Sequence, residues 1–264
     1  MDNQTLNFFD QQEDIKKALD AKDVLLFLDY DGTLTPIVDT PDLAVISDDM
    51  RATVSRAAEV MSVSIVSGRA TDDVRGKVGL EQVFYAGSHG FEIIDPEGKV
   101  TINEEARQIR PVIDEVHAQL SQRLSKIQGA LVEHVKYTIS AHYRLVADKD
   151  FPAVEKAVDE ILMEFPTLRK TSGKKVFEIR PKIDWDKGRA VQWILKFLKF
   201  DPQKQVPIYI GDDTTDEDAF KVLSGKGLGI LVAEKPRPTT AAYMIPDTAA
   251  VKAVLEWLIS DKQK

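Results

Sequence analysis

Short apolar runs alternate along the chain with amphipathic stretches, and four of the runs stop abruptly at charged or small residues. Val24-Leu25-Leu26-Phe27-Leu28 ends at Asp29-Tyr30-Asp31-Gly32, and Val63-Ser64-Ile65-Val66 at Ser67-Gly68-Arg69. Val83-Phe84-Tyr85-Ala86 ends at Gly87-Ser88-His89-Gly90, and Pro207-Ile208-Tyr209-Ile210 at Gly211-Asp212-Asp213, with Asp216 just beyond. Near-continuous apolar runs are the pattern of strands buried on both faces of a parallel sheet. Between the first two runs, Ser47 can cap a helix that carries Met50, Val54, Ala57 and Met61 at helical spacing. A shorter helical stretch starts at Thr71, and residues 91–100 read as a hairpin turning at Asp95-Pro96-Glu97-Gly98. The pattern predicts an α/β, Rossmann-like core whose strand ends build one polar rim.

From about Glu104 the texture changes. Ile109, Val112, Ile113, Val116, Leu120, Leu124 and Ile127 recur every three or four residues and predict one amphipathic helix ended by Gly129. Residues 131–145 alternate and predict two half-buried strands. Leu131, Val135, Tyr137, Ile139, Ala141 and Tyr143 fall on one face; His134, Lys136, Thr138, Ser140, His142 and Arg144 fall on the other. A second amphipathic helix (Phe151, Val154, Val158, Ile161, Phe165) precedes two further strand-like segments, 167–170 and 175–178. Helix-strand-strand given twice predicts a small antiparallel sheet covered by two helices. After about Glu178 the β/α texture resumes: a helix over 187–198, the Pro207 strand, a helix through Phe220 and Leu223, and strands at 229–232 and 244–245. The economical division is a core of residues 1–103 and 178–264 interrupted by an inserted α+β module, 104–177.

Composition narrows the function classes. With a net charge of −8 and no long basic run, neither nucleic acid nor an anionic membrane surface is an expected partner. The absence of cysteine excludes disulfides, thiolate catalysis and Cys-ligated zinc, and it is compatible with a cytoplasmic location. Residues 1–23 contain no apolar signal-like run, and no stretch approaches the roughly 18–20 apolar residues of a membrane span. A soluble, cytoplasmic protein is the expectation.

The candidate chemistry lies at the strand ends. Asp29 and Asp31, two residues apart on an extended chain, point the same way and can serve one site at the carboxyl edge of the sheet. Two carboxylates brought together need an offsetting charge, and a divalent cation is the simplest. A strand ending in a solvated acidic turn would read the same on this segment alone. Likewise the acidic run from Asp212 to Asp218 suits an exposed helix N-terminus, and Lys187 could be a solvated lysine at a helix start. The four histidines do not fall at a metal-ligand spacing.

Nearly the whole chain resembles the trehalose-6-phosphate phosphatases of the haloacid dehalogenase superfamily. Asp29-Tyr30-Asp31-Gly32-Thr33 matches the superfamily's first motif, Ser67-Gly68-Arg69 the second, Lys187 in Asp186-Lys187-Gly188 the third, and Gly211-Asp212-Asp213 with Asp216 the fourth. The narrower resemblance rests on the phrase Leu28-Asp29-Tyr30-Asp31-Gly32-Thr33-Leu34-Thr35-Pro36-Ile37-Val38 with Pro41 to Ala44 after it, and on Gly87-Ser88-His89-Gly90. It also rests on Glu133 and Lys136 before His142-Tyr143-Arg144, and on Glu178-Ile179-Arg180-Pro181.

The resemblance implies a Mg²⁺-dependent phosphatase that hydrolyses trehalose 6-phosphate through an aspartyl-phosphate, within trehalose biosynthesis. It implies Asp29 as nucleophile and Asp31 as general acid and base. Asp29, the main-chain carbonyl of Asp31, and Asp212 are the implied metal ligands, with Asp213 and Asp216 supporting that loop. Ser67 and Lys187 are implied on the phosphoryl oxygens. The inserted module becomes a cap that selects the sugar. Substrate-binding candidates are Thr33, Arg69 (which could equally brace the acidic loop), Ser88, His89, Glu133, Lys136, His142, Arg144, Lys175 and Glu178. The implied partner is a small sugar phosphate; a monomer is expected, with any trehalose-6-phosphate synthase on a separate chain. Competing readings are another sugar-phosphate phosphatase of the superfamily, acting on sucrose phosphate or a glycosyl phosphoglycerate, and a non-catalytic sugar-phosphate-binding module. A phosphomutase is disfavoured, since nothing points to retention of a bisphosphorylated intermediate.

Overall fold

The computed structural model of the chain describes residues 5–263; the end positions 1–4 and 264 of the expected core lie outside them. A nine-stranded sheet has the order β1 (Leu6–Asn7), β13 (Tyr243–Ile245), β12 (Leu228–Val232), β11 (Gln205–Gly211), β2 (Asp23–Leu28), β3 (Ser62–Val66), β4 (Phe84–Gly87), β5 (Glu92–Ile94), β6 (Val100–Ile102). Pairings from β1 through β4 are parallel, and β5 and β6 turn back antiparallel.

The continuous apolar run of β2 is explained by burial on both faces. Val24, Leu26 and Leu28 pack with α1 (Gln12–Leu19), α2 (Asp48–Val60), α3 (Thr71–Val78) and α8 (Thr248–Lys262), through Ile15, Val54, Val74 and Leu255. Leu25 and Phe27 face α6 (Lys187–Phe197) and α7 (Glu217–Leu223), meeting Val191, Ile194 and Phe220. Ser47 caps α2 as its position suggests, its Oγ accepting from the Met50 N–H at 3.1 Å. Helices α1 and α8 and the short β1 are additions to the predicted elements. Among the described residues no helix is long and apolar enough to cross a membrane.

The second sheet is antiparallel, in the order β7 (Leu131–Val135), β8 (Thr138–His142), β10 (Val176–Pro181), β9 (Leu168–Gly173). Two helices cover one face, α4 (Glu104–Leu124) and α5 (Phe151–Glu164), with Val116, Leu120, Val158 and Ile161 packed on Ile139 and Ile179. Three details depart from the expectations. Helix α4 stops at Leu124, before Ile127, because the last turn tightens: the Ile127 N–H donates to the Leu124 carbonyl and Ser125 Oγ to the Gln122 carbonyl. Strand β10 runs on to Pro181, so the expected boundary at residue 178 falls inside a strand.

The third departure concerns which face each side chain takes. Val135 pairs with Thr138 across a two-residue turn, so odd positions of β7 share a face with even positions of β8. Leu131, Glu133 and Val135 therefore lie beside Thr138, Ser140 and His142, not beside Ile139. His134 moves to the helix face, its Nε2 2.7 Å from Asp114 Oδ1 of α4. Alternation counted straight through a hairpin loses its phase at the turn.

The two-faced burial of β2 and the cap of α2 predict a ranked pair of effects. Leu26→Ala should cost about 2–5 kcal/mol of folding stability and Ser47→Ala about 1 kcal/mol, measured by chemical denaturation. Equal losses would contradict this account of the sheet.

Candidate active site

Strand order reverses at β2: the chain proceeds from β2 to β3 and β4 on one side, and later lays β11, β12 and β13 on the other. The crevice at such a switch point is where an open α/β sheet receives ligands. Asp29, the residue after β2, sits in that crevice, 4% exposed, its N–H on the Ile210 carbonyl at 3.0 Å. Lys187, at the first turn of α6, donates to Asp29 Oδ1 and to Asp216 Oδ1, both at 2.7 Å. Asp216 is in turn fixed by the Tyr209 hydroxyl (2.6 Å) and the Asp213 N–H (2.9 Å). Carboxylate oxygens of Asp29, Asp212 and Asp216 all lie within 4.8 Å of one another. Gly32, at φ +79°, is required beside them, because a Cβ there would overlap the Asp212 carboxylate.

The electrostatics have one origin: three buried carboxylates face one fully buried ammonium. Burial pushes the Asp29 pKa well above the usual carboxylate range, with Asp216 and Asp212 adding to it against the pull of Lys187. Burial, opposed by Lys174 and reinforced by Asp216, raises Asp212 to about 6. Burial works against the Lys187 ammonium too, but Asp216 and Asp29 outweigh it and hold its pKa well above normal. Such a site is short of positive charge. Its donors are hard carboxylate oxygens, so the residues present fit a small divalent cation such as Mg²⁺.

Around this centre, Arg69 grips Asp31 with two bonds of 2.7 Å, from Nε and Nη2, and reaches Asp73 and the Pro41 carbonyl with its remaining donors. Its guanidinium also lies over the Tyr30 ring, 5.3 Å from the centroid. In this structure Arg69 braces the loop that carries Asp31 and also lines the cavity. Ser67, fully buried, accepts the Arg69 N–H at its Oγ (3.1 Å). Thr33 is buried beneath the first loop, its hydroxyl without a hydrogen-bond partner.

The polar face of the second sheet closes the cavity from above. Glu133 and His142 pair at 2.9 Å and line it, together with Arg144 and Glu178. His89 reaches the same cavity from a strained turn in which Ser88 and His89 both take left-handed backbone, φ 48° and 57°. Its Nε2 lies 3.1 Å from Glu178 Oε2. Burial and then Arg180 lower the His89 pKa, against the pull of Glu178. Glu178 is held ionised against its burial by His89, Arg180 and Lys187.

Six of the candidates lie apart from the cavity lining: Thr33, Ser67 and Asp216, already placed, and Ser88, Lys136 and Lys175. Lys136 points to buried Glu92 (2.7 Å) and to Asp72 (3.4 Å). Ser88 spends its hydroxyl on the Val135 carbonyl at 2.9 Å. Lys175 lies in an adjoining outer groove with Tyr143 and Arg144. Two residues that the sequence reading does not count as site candidates belong to the site. Tyr209 sits mid-strand and reads as one more apolar position. Lys174 is half of a Lys-Lys pair in a hairpin turn, and only the fold tells which lysine meets Asp212.

The trehalose-phosphatase family model matches residues 27–249, from the strand before Asp29 to the start of α8. A curated relative, trehalose 6-phosphate phosphatase RA3 of Zea mays, is 45% identical over 96% of this chain and 74% of the maize protein. Trehalose-phosphate phosphatase B of Arabidopsis thaliana is 42% identical over 98% of this chain and 71% of its own length. The C-terminal domain of Candida albicans trehalose-6-phosphate phosphatase shares the fold, with a TM-score of 0.79 at 22% identity, covering 98% of this chain and 99% of that one. With all four acidic and basic strand ends inside the matched span, the chain belongs to the trehalose-phosphatase family.

Proposed function

We propose that this phosphatase hydrolyses trehalose 6-phosphate to trehalose and phosphate, with Mg²⁺, through a phosphorylated Asp29. The observation that carries the reading is the buried Asp29 carboxylate, held by Lys187 at a strand switch point beside Asp212 and Asp216. Water hydrolyses phosphate monoesters extremely slowly, so a carboxylate nucleophile that splits the barrier in two is chemically apt. An Asp29 oxygen attacks phosphorus as the bond from phosphorus to the sugar's primary oxygen breaks, and Asp31 gives that oxygen a proton. Water then attacks phosphorus of the acyl phosphate, Asp31 takes its proton, and the Asp29 carboxylate is restored. For this Asp31 must leave Arg69, which its 39% exposed side chain permits. Lys187 stays on the equatorial charge throughout.

Asp29, Asp212 and the Asp31 main-chain carbonyl would hold Mg²⁺, and Asp213 and Asp216 would steady that loop. Bound there, the ion supplies Lewis-acid neutralisation of phosphoryl charge. The segment from α4 to β10 is the cap in this reading. Its Glu133, His142, Arg144 and Glu178 offer hydrogen bonds to sugar hydroxyls, and an unpaired buried polar group penalises the wrong sugar.

Phosphate release from a panel of sugar phosphates tests this. Trehalose 6-phosphate should be turned over strongly, glucose 6-phosphate and sucrose 6-phosphate weakly, and Asp29→Asn should lose all release. Equal rates on every sugar would remove the trehalose assignment and keep the phosphatase; a fully active Asp29→Asn would remove the nucleophile.

A second expectation concerns pH. Asp212 is an acid whose folded pKa is raised, to about 6, so below that pH it holds a proton that a metal must displace. Metal affinity should therefore climb as pH rises through about 6, with proton release on binding. Calorimetric Mg²⁺ titrations in buffers of different ionisation enthalpy measure both; a pH-independent affinity would rule the linkage out.

A further inference from the structure

Arg180, on β10, is a buried cation that nothing holds. It is 4% exposed, and its Nε and Nη2 are buried without a hydrogen-bond partner among the described residues. Three acidic groups pull on it from three elements, and each is engaged elsewhere. Glu178, two residues earlier on the strand, faces His89; Asp186 Oδ1 accepts the Arg189 N–H at 2.8 Å; Asp218 lies 3.5 Å from Lys221. Arg169, its direct partner on β9, adds a like charge. Buried polar groups are ordinarily hydrogen-bonded, and an apolar side chain in place of an unpaired buried charge is neutral or stabilising. A cation retained against stability in this way points to function.

What Arg180 acts on is the His89–Glu178 pair. Side chains two apart on a strand leave the same face, so Arg180 stands behind Glu178, which lines the cavity while Arg180 does not. The pair lies against the loop after β3: a Cβ on Gly68 would be 3.0 Å from the His89 ring and 3.6 Å from Glu178 Oε1. His89 Nδ1 is buried without a partner, which leaves Glu178 as the polar contact of the ring. Burial, Arg180 and Lys187 all oppose a proton on His89, and Glu178 favours one. Without the guanidinium, a protonated His89 would be the natural counter-ion of Glu178, and the two would close on each other. With it, the carboxylate keeps acceptor capacity for a ligand. We propose that Arg180 is a positioning residue of this site: from behind the cavity wall its guanidinium is the counter-charge to Glu178, and it keeps that carboxylate and the His89 ring in the arrangement a sugar hydroxyl meets. The inference rests on the cap reading given above.

The experiment follows the ring nitrogens of His89 by heteronuclear NMR across the neutral pH range in metal-free wild type, Arg180→Met, Arg180→Lys and Arg169→Met, with His89→Gln assigning the signal. Kinetics on trehalose 6-phosphate with Mg²⁺, and thermal melts, are measured on the same proteins. In Arg180→Met, His89 should take up its proton at higher pH than in wild type. KM should rise about tenfold, the worth of one misdirected hydrogen bond to a charged group, with kcat within about threefold because the groups at phosphorus are untouched. The variant should melt no lower than wild type, since the charge it removes is unpaired. Arg180→Lys keeps the charge and should return the titration and most of the KM. Arg169→Met removes an exposed charge directly opposite and should leave both unchanged. Wild-type titration and KM in Arg180→Met overturn the proposal and leave the phosphatase reading standing; if that variant also loses stability, Arg180 belongs to packing alone. An equal effect of Arg169→Met, or no recovery in Arg180→Lys, overturns it too. Should Arg180→Met not fold, Arg180→Gln is read by the same criteria. A wild type that leaves trehalose 6-phosphate intact removes the sugar reading, and the His89 titration then decides by itself whether Arg180 governs the pair.

Discussion

Lys187 sets one ammonium between two buried carboxylates, Asp29 and Asp216, 2.7 Å from each, in a site that also encloses Asp212. Three carboxylates against one ammonium, removed from water, repel one another more than that ammonium can offset, and desolvation adds to the cost. Much of the local structure distributes this excess. Tyr209 and the Asp213 N–H take up part of the charge on Asp216, and Lys174 covers Asp212. Gly32 leaves the space in which the Asp212 carboxylate lies. The remaining deficit of positive charge is the physical basis of the cation site proposed above.

The sheet is what allows such an assembly to exist. Asp29 and Asp212 each follow directly on strands, β2 and β11, that pair in parallel at the centre of the sheet and are buried on both faces. The backbone carrying the carboxylates is thereby among the most tightly held in the chain, so the charges cannot relax by moving apart. Arg69 extends the same principle outward, tying Asp31 to Asp73 of α3 and to the Pro41 carbonyl.

The second sheet meets the core by a different physical route. Its contacts with the core are polar and local: Ser88 to the Val135 carbonyl, Lys136 to Glu92, His89 beside Glu178, Lys174 on Asp212. A small apolar cluster of Phe91, Ala106, Tyr137 and Ile183 joins the two parts. Contacts of this kind leave a cavity between the two sheets, with acidic side chains below and hydrogen-bonding side chains above.

The sequence alone determined the α/β core, the four strand ends and the acidic character of the site, because continuous apolar runs stopping at Asp, Ser and Gly have few other physical meanings. It also indicated the antiparallel module, through helical and alternating periodicity. Tertiary structure decided what periodicity cannot carry. The phase of β7 against β8 was set by a two-residue turn, which sent His134 to the helices and brought Glu133 beside Ser140 and His142. Lys136 and Lys174 are both turn lysines, yet one clasps buried Glu92 and the other enters the acidic site, a choice made by which core carboxylate each hairpin tip reaches. Tyr209 reads as a strand residue like its neighbours, and only the fold brings its hydroxyl to Asp216. Local sequence determines which face and which element a residue joins; the partner of its polar atom depends on a second element, distant in the chain, whose position is fixed only when the whole core packs.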